Sequence, residues 1–198
     1  MPRVLSLRLK ALIPLRLPDV MRSARLTYRR PGQADRNNLH ALDNDPEVMR
    51  WVNGGLPISL DRFDKEIMPT YLEVDSDIAG FWIIETGEDF LGWISLRRTE
   101  NLDEWSLGYR LVQKAWGRGY ATEAATFFVE QASSQPEVSR VSATTYEKNV
   151  GSQRVLEKSG FKLVKRFRLE DTQSDTSIQE GEAWDGDDLL YECLVSRR

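Results

Sequence analysis

The strongest chemical signal in the sequence is a glycine-rich turn at residues 113–122, which reads QKAWGRGYAT. It joins a strand-like segment to a segment of small residues that is typical of a helix. Glycine lets the backbone approach a ligand closely, and the start of a helix adds about half a positive charge through its dipole. The turn therefore predicts a site for an anion, and the phosphate groups of a cofactor are the natural ligand.

Three other interpretations of this turn compete. No Gly-x-x-x-x-Gly-Lys-Ser/Thr sequence occurs in the chain, which excludes a Walker-type phosphate loop. A Rossmann site needs glycine where this chain has Thr122, and a parallel βαβ unit where the preceding strands look antiparallel. An ordinary tight turn without a ligand is the third alternative.

The elements that must position the turn alternate between strand-like and helix-like segments, which is an α/β or α+β pattern. Strands are predicted at residues 25–30, 78–85, 90–98, 104–112, 138–146, 161–169 and 189–195. Helices are predicted at 33–42, 46–51, 117–133 and 149–158. A further helix should begin at Ser59 and be bent or ended by Pro69.

Composition limits the classes of protein that this chain can be. Its 198 residues are 40% hydrophobic, which is typical of one folded domain and not of a disordered chain. The net charge of -4 argues against a protein that mainly binds nucleic acid. Cys193 and His40 are the only residues of their types, which excludes an intramolecular disulfide and a Cys- or His-rich metal site and fits a cytoplasmic location. No segment approaches the roughly 18 apolar residues that a membrane helix needs, so no membrane partner is expected.

Residues 1–23 form a separate N-terminal segment that is basic and leucine-rich. Such a composition is compatible with an organelle transit peptide, an extra strand or an oligomerisation arm, while charged residues interrupt any secretion signal. A variable extension without a catalytic role is the simplest interpretation. We therefore predict an extension of unknown role at 1–23 and one domain at 24–198.

Four motifs occur in order along that domain: DPEVMR at 45–50, GY at 108–109, WGRGYATEA at 116–124, and Asn149 with Ser152 before EKSGF at 157–161. Together they resemble the GNAT family of acetyl-coenzyme A dependent N-acetyltransferases, and more narrowly its RimJ/RimL branch. The resemblance covers about residues 24–195. It implies a mixed, mostly antiparallel sheet of six or seven strands flanked by helices, in which the strand after the long helix lies parallel to its neighbour.

The resemblance also implies acetyl-coenzyme A (acetyl-CoA) as the co-substrate and no metal. The family's pyrophosphate signature falls on the turn, but Trp116 stands where most members have Gln or Arg. The strand that ends near Leu111 is expected to splay from its neighbour and leave backbone amides free for the pantetheine arm and the thioester carbonyl. The cofactor-binding residues so implied are Leu111, Val112, Trp116, Gly117, Arg118, Gly119, Tyr120, Ala121, Thr122, Asn149 and Ser152.

For catalysis, the resemblance implies that Ser152 is the general acid and that Asn149 binds the pantetheine amides. Asn149 is also a good helix N-cap, which is the alternative interpretation. The branch's usual glutamate position is occupied by Ser106, so Glu104, on the same strand face, is the predicted general base. Glu85 and an ordered water chain remain alternatives. His40 is expected at the surface or partly packed, and Cys193 in the core.

The acceptor implied is a primary amine, either a protein N-terminal α-amine, which the branch favours, or a small molecule. The segment at residues 170–188 is rich in Asp and Glu and has no Lys or Arg. It would border the acceptor groove, with Trp184 as one wall, or it is only a solubilising loop. Two rival functions stay open: a non-catalytic coenzyme A binding module and a dinucleotide-dependent oxidoreductase. A homodimer is also compatible with the sequence.

Overall fold

A computed structural model describes residues 20–168 and 186–195. Its centre is one sheet of eight strands in the order β1-β2-β3-β4-β5-β6-β8-β7. The strands are β1 (Val20–Arg22), β2 (Thr27–Arg29), β3 (Gly80–Thr86), β4 (Asp89–Arg98), β5 (Glu104–Leu111), β6 (Arg140–Tyr146), β7 (Lys162–Phe167) and β8 (Asp188–Leu194). In this described sheet every neighbouring pair is antiparallel except β5 and β6.

Six α-helices flank the sheet in the described ranges: α1 (Arg36–Asp43), α2 (Pro46–Met49), α3 (Leu60–Arg62), α4 (Met68–Leu72), α5 (Tyr120–Ser133) and α6 (Val150–Lys158). Their starts follow from local chemistry, because Asp45, Ser59 and Asn149 each accept backbone N–H groups at a helix N-terminus. A π-helical stretch, Phe63–Ile67, joins α3 to α4, and Pro69 lies in the first turn of α4. The bend expected at Pro69 is therefore a change of helix type.

The two faces of the sheet carry two separate hydrophobic cores. On one face, α5 and α6 pack Phe128 and Leu156 against strand residues such as Trp82 and Trp105. On the other face, α1 to α4 pack onto β3 and β4, where Trp93 belongs to this second core. Side chains alternate along a strand, so neighbouring residues of β5 face different cores.

The sheet opens between β5 and β6. Pairing of these strands is confined to Glu104, Trp105 and Ser106 against the first three residues of β6. Both strands continue beyond that point, β5 to Leu111 and β6 to Tyr146, without pairing to each other. The splay that the resemblance implied is confirmed, and it creates a gap that reaches both faces of the sheet.

The predicted fold class is confirmed, with eight strands instead of six or seven. The additional strand is β1, which pairs with β2 through Met21 opposite Tyr28. One of the interpretations of residues 1–23, an extra strand, therefore applies to Val20–Arg22, while residues 1–19 lie outside the described ranges. The division into 1–23 and 24–198 stays a prediction. No helix in the described part of the chain is long and apolar enough to cross a membrane.

Candidate active site

A cleft of about 620 Å³ lies where β5 and β6 part. This volume is in the range of small-molecule and cofactor sites. The cleft brings together the end of β5, the glycine-rich turn that follows it and the start of α6, which lies about 30 residues further along the chain. The predicted cofactor residues that line it are Leu111, Trp116, Gly117, Gly119, Tyr120, Ala121, Thr122, Asn149 and Ser152. Val112 and Arg118, also predicted, are not in its lining.

The glycine-rich turn has the backbone geometry that an anion site requires. Gly117 and Gly119 adopt φ angles of 71° and 77°, which side chains other than glycine rarely accept. Gly119 directly precedes α5, and its carbonyl accepts the Glu123 amide at 3.0 Å. The N-terminus of a helix of 14 residues therefore opens onto the cleft.

The turn is held from outside by a group that the sequence reasoning missed. The Glu123 carboxylate accepts hydrogen bonds from Ser23 Oγ at 2.6 Å, from the Arg25 amide at 2.7 Å and from Arg25 Nε at 2.6 Å. Arg25 Nη1 also donates to the Arg118 carbonyl at 3.0 Å, and its guanidinium lies over the Tyr120 ring. Burial alone would raise the pKa of Glu123, but these hydrogen bonds and the Arg25 charge outweigh it and lower the pKa.

The end of β5 offers a backbone donor to the cleft. The Val112 amide donates to the Leu91 carbonyl of β4 at 2.9 Å, and successive amides of a strand point to opposite sides. The Leu111 amide therefore points into the splay. On that side the Leu111 carbonyl accepts the Trp116 indole N–H at 2.8 Å, which fixes the turn to the strand.

Ser152 and Tyr109 form a hydroxyl pair at the cleft. Ser152 Oγ lies 2.9 Å from Tyr109 Oη, and the Asn149 side chain accepts the Ser152 amide at 3.0 Å. Burial raises the pKa of Tyr109 to about 12, partly offset by the bond to Ser152. The Tyr109 hydroxyl therefore keeps its proton at neutral pH. Asn149 acts as the N-cap of α6, which was the alternative to a cofactor contact, and it also lines the cleft.

The structure does not bring Glu104 to the cleft. Glu104 begins β5, seven residues before Leu111, a separation of roughly 23 Å along an extended strand. Its carboxylate accepts Ser142 Oγ at 2.7 Å and lies 3.5 Å from Arg140 Nε. The prediction of Glu104 as the general base is therefore corrected. The alternation of side chains gave its face of the sheet, but its position along β5 is too far from the cleft.

The other candidates for a base also lie elsewhere. Glu85 pairs with Arg29 at 2.7 Å, and the His40 ring contacts Phe63 and the Ile58 carbonyl. Cys193 is half-buried. Trp184 and the greater part of the acidic segment, through residue 185, lie outside the described residues.

Basic side chains dominate the charge of the cleft. Arg50, Arg110, Lys148, Arg154 and Lys158 line it, and no carboxylate or imidazole does so among the described residues. Arg154 and Lys158, on the helix that begins at the cleft, suit the phosphate groups of a coenzyme A molecule. The described residues contain no cluster of three or more His, Cys, Asp or Glu side chains arranged to hold a metal ion.

The sequence reasoning named Gly108-Tyr109 as a motif but gave Tyr109 no role. Alternation along β5 would have placed Tyr109 beside Leu111 on one face. Its pairing with Ser152, 43 residues later, required the fold.

The sequence matches a family model described as an acetyltransferase (GNAT) domain over residues 25–162. The chain belongs to the GNAT acetyltransferase family. Transfer of acetyl from acetyl-CoA to an amine is thereby confirmed, with no acceptor specified. The dinucleotide oxidoreductase alternative falls with this match and with a sheet that has one parallel pairing in its described part.

Two proteins with similar sequences align with most of this chain. The FsC-acetyl coenzyme A-N(2)-transacetylase of Aspergillus fumigatus is 29% identical over 178 residues, which cover 85% of this chain and 75% of that protein. The uncharacterized protein YkkB of Bacillus subtilis is 30% identical over 133 residues, which cover 64% of this chain and 75% of YkkB.

Solved structures share the fold at lower identity. RimL, a ribosomal α-N-protein acetyltransferase in complex with coenzyme A, has a TM-score of 0.72 at 16% identity and covers 92% of this chain and 99% of its own. The spermidine N-acetyltransferase of Vibrio cholerae has a TM-score of 0.70 at 14% identity and covers 88% of this chain and 98% of its own. RimL is one fold neighbour among several, so the branch stays a prediction.

Proposed function

We propose that this GNAT enzyme acetylates a weakly basic primary α-amine, as the predicted RimJ/RimL branch does. The observation that carries the proposal is the lining of the cleft, which in the described part of the chain holds no carboxylate or imidazole. An α-amine with a pKa near 8 is partly neutral at pH 7, whereas a lysine amine near 10.4 needs a base. The relative named as an N(2)-transacetylase and the RimL neighbour support this acceptor class.

The co-substrate fits the residues that are present. The Gly117 to Thr122 backbone at the start of α5 would hold the pyrophosphate, with Arg154 and Lys158 of α6 supplying positive charge nearby. Acetyl-CoA supplies the activated acetyl group when bound. At Gly117 this side of the turn is open, because a Cβ built there meets no atom within 4 Å, whereas one built on Gly119 would lie 3.5 Å from Arg25 Nη2.

Three groups of the chain would act on the charges that develop in the reaction. The Leu111 amide faces the splay and would stabilise negative charge on the carbonyl oxygen as the neutral amine attacks. The Ser152 hydroxyl would donate a proton to the departing sulfur and regain one from the Tyr109 hydroxyl through their 2.9 Å contact. The proton that the acceptor nitrogen loses as the amide forms would return to this pair through solvent, so the products are the amide and a free thiol. A thiol of pKa near 8.5 leaves fairly well without help, so the acid contributes modestly.

A panel of acceptors tests the proposal through the release of free thiol from acetyl-CoA. We compare a short peptide with a free N-terminus, the same peptide with a blocked N-terminus and one lysine, and spermidine. At pH 7 the neutral fraction of the α-amine exceeds that of lysine by roughly 100-fold, so kcat/KM should favour the free N-terminus by at least tenfold. A preference for lysine or spermidine overturns the proposal. Coenzyme A binding without turnover of the peptide with a free N-terminus would also overturn it.

Variants test the residues assigned to the reaction. Ser152→Ala and Tyr109→Phe should lower kcat by roughly tenfold each, with little change in the KM for acetyl-CoA, because both hydroxyls act on the leaving group. Glu104→Gln is the matched control, since Glu104 pairs with Arg140 outside the cleft. A loss of kcat in Glu104→Gln that equals the loss in Ser152→Ala would contradict these assignments.

A further inference from the structure

Arg110 occupies a particular place in the cleft. It precedes Leu111 in β5, so its side chain lies on the sheet face that α1 to α4 cover, opposite to Tyr109 and Leu111. Its guanidinium lies 5.2 Å from the centre of the Trp93 ring, which belongs to the core of that face. The gap between β5 and β6 reaches both faces of the sheet. Arg110 therefore lines the same cleft as the glycine-rich turn, but from the opposite face.

A buried network holds the Arg110 guanidinium in place. Its Nη1 donates to Asp43 Oδ1, and the Tyr71 hydroxyl donates to Asp43 Oδ2 at 2.8 Å. The Asp43 side chain is only 1% exposed, while that of Arg110 is 15% exposed at the cleft. Burial and the adjacent Asp43 carboxylate raise the pKa of Tyr71, so its hydroxyl remains a donor. The network therefore fixes one edge of the guanidinium and leaves the other toward the cleft.

The second edge of Arg110 is unoccupied by protein. Within residues 20–168 and 186–195, its Nε and Nη2 donate to no side chain or carbonyl. These two nitrogens are also accessible to solvent. In the described part of the chain, the buried side-chain nitrogens without a hydrogen-bond partner belong to Arg30, Trp93 and Arg140. A planar guanidinium edge with two parallel N–H groups matches a carboxylate in a bidentate arrangement.

The charges around Arg110 favour the same ligand. The other described lining residues of the cleft include Arg50 and Lys148 and no carboxylate. An acceptor that carries an anionic group would be attracted by these described charges. The Trp51 ring also lines the cleft, and its centre lies 5.7 Å from the centre of the Tyr146 ring.

We propose that Arg110, anchored by Asp43, binds a carboxylate of the acceptor and thereby sets the acceptor specificity of this enzyme. This inference rests on the proposed function. The carboxylate belongs either to a small amino acid or to an acidic residue at the start of a peptide. The phosphate groups of coenzyme A are a different ligand, because their turn lies with α5 on the other face of the sheet.

Matched acceptors that differ only in one carboxylate test the proposal. The pairs are Gly-Gly with its C-terminal amide, and the peptides Gly-Asp-Gly and Gly-Asn-Gly with amidated C-termini, all of which present an α-amine. We expect kcat/KM to favour the acid of at least one pair by about tenfold or more, as for a charge-assisted hydrogen bond in a partly buried site. The pair that shows the preference identifies the small-molecule or the peptide source.

Variants of Arg110 separate binding from folding. Arg110→Gln should reduce the acid preference to about onefold while the Kd for coenzyme A changes less than twofold, and Arg110→Lys should restore it only in part. Because Arg110→Gln leaves Asp43 buried and unpaired, the double variant Asp43→Asn with Arg110→Gln keeps the network neutral. Arg62→Gln, at an exposed arginine paired with Glu66, is the control and should keep the preference.

The outcomes distinguish this inference from the proposed function. Turnover of amines without a preference for either acid, or a preference that survives in Arg110→Gln, overturns the role of Arg110 and leaves acetyl transfer standing. If no probe turns over, equilibrium dialysis of the same four probes with the coenzyme A complex decides. Equal binding of acid and amide, or no binding of either, then also overturns the role of Arg110.

Discussion

Replacement of Glu123 by glutamine tests whether the contacts from the N-terminal part of the chain hold the glycine-rich turn in place. Glu123 accepts three hydrogen bonds, from Ser23 Oγ and from two nitrogens of Arg25, and its side chain is 15% exposed. Bonds to a charged acceptor contribute about 1.5–3 kcal/mol each and are roughly twice as strong as neutral ones. The Arg25 side chain is 49% exposed, so the ion pair itself contributes little.

After this discount for solvent, we expect Glu123→Gln to lower the free energy of unfolding by about 2 kcal/mol. In a chain of this length that corresponds to a fall in Tm of about 4–8 °C. Arg25 also binds the Arg118 carbonyl of the turn, so the Kd for coenzyme A should rise severalfold. Thermal unfolding by circular dichroism and calorimetric titration with coenzyme A measure the two effects.

The pH dependence of this loss gives a second readout. The pKa of Glu123 is lowered in the folded protein, so its contribution to stability is complete above the unfolded value of about 4.5. That contribution disappears as the pH falls through the lower folded pKa. The difference in urea unfolding free energy between wild type and Glu123→Gln should therefore be constant from about pH 6 to 7 and shrink below about pH 4.5.

Glu130→Gln is the matched control, because Glu130 lies exposed on the same helix and its side chain makes no described contact. Its Tm should stay within about 1 °C of the wild-type value. An equal fall in Tm in Glu123→Gln and Glu130→Gln would refute the reasoning. So would a loss in Glu123→Gln that is unchanged at pH values below 4.

Two further predictions concern the backbone around the cleft. Gly119→Ala forces a side chain into a φ of 77° and should cost about 1–2 kcal/mol, and calorimetry should show weaker coenzyme A binding. Unchanged affinity would show that the turn tolerates a β-carbon. Asp45→Ala removes the N-cap of α2 and the 2.8 Å bond from Gln113, so the Tm should fall by about 2–4 °C. A Tm equal to that of the wild type would contradict this role of Asp45.

Much of the fold was predictable because its signals are local. The spacing of apolar residues and the caps at Ser59 and Asn149 predict helices that the structure contains. The eighth strand was missed as an element because Val20–Arg22 is short and gains its pairing only from β2. Such a strand has too few residues for a periodic pattern to identify it.

At the site, the glycine-rich turn follows from local sequence. Gly117 and Gly119 precede a helix, and glycine readily adopts the positive φ angles that this open turn requires. This conformational freedom belongs to the residues themselves, so it does not depend on the rest of the fold. Only the tertiary structure decided what surrounds that turn. The alternation of side chains along β5 placed Glu104 on a plausible face of the sheet. The cleft, however, lies at the other end of the strand, because that is where β5 separates from β6.

The same reason explains the groups that sequence reasoning did not find. Tyr109 meets Ser152 across 43 residues, and Arg110 meets Asp43 across 67. Neither contact has a local signature, because it arises from how two strands diverge and which helix covers each face. The sequence therefore predicts a turn suited to phosphate, while the geometry of the splayed sheet decided which side chains share the cleft with it.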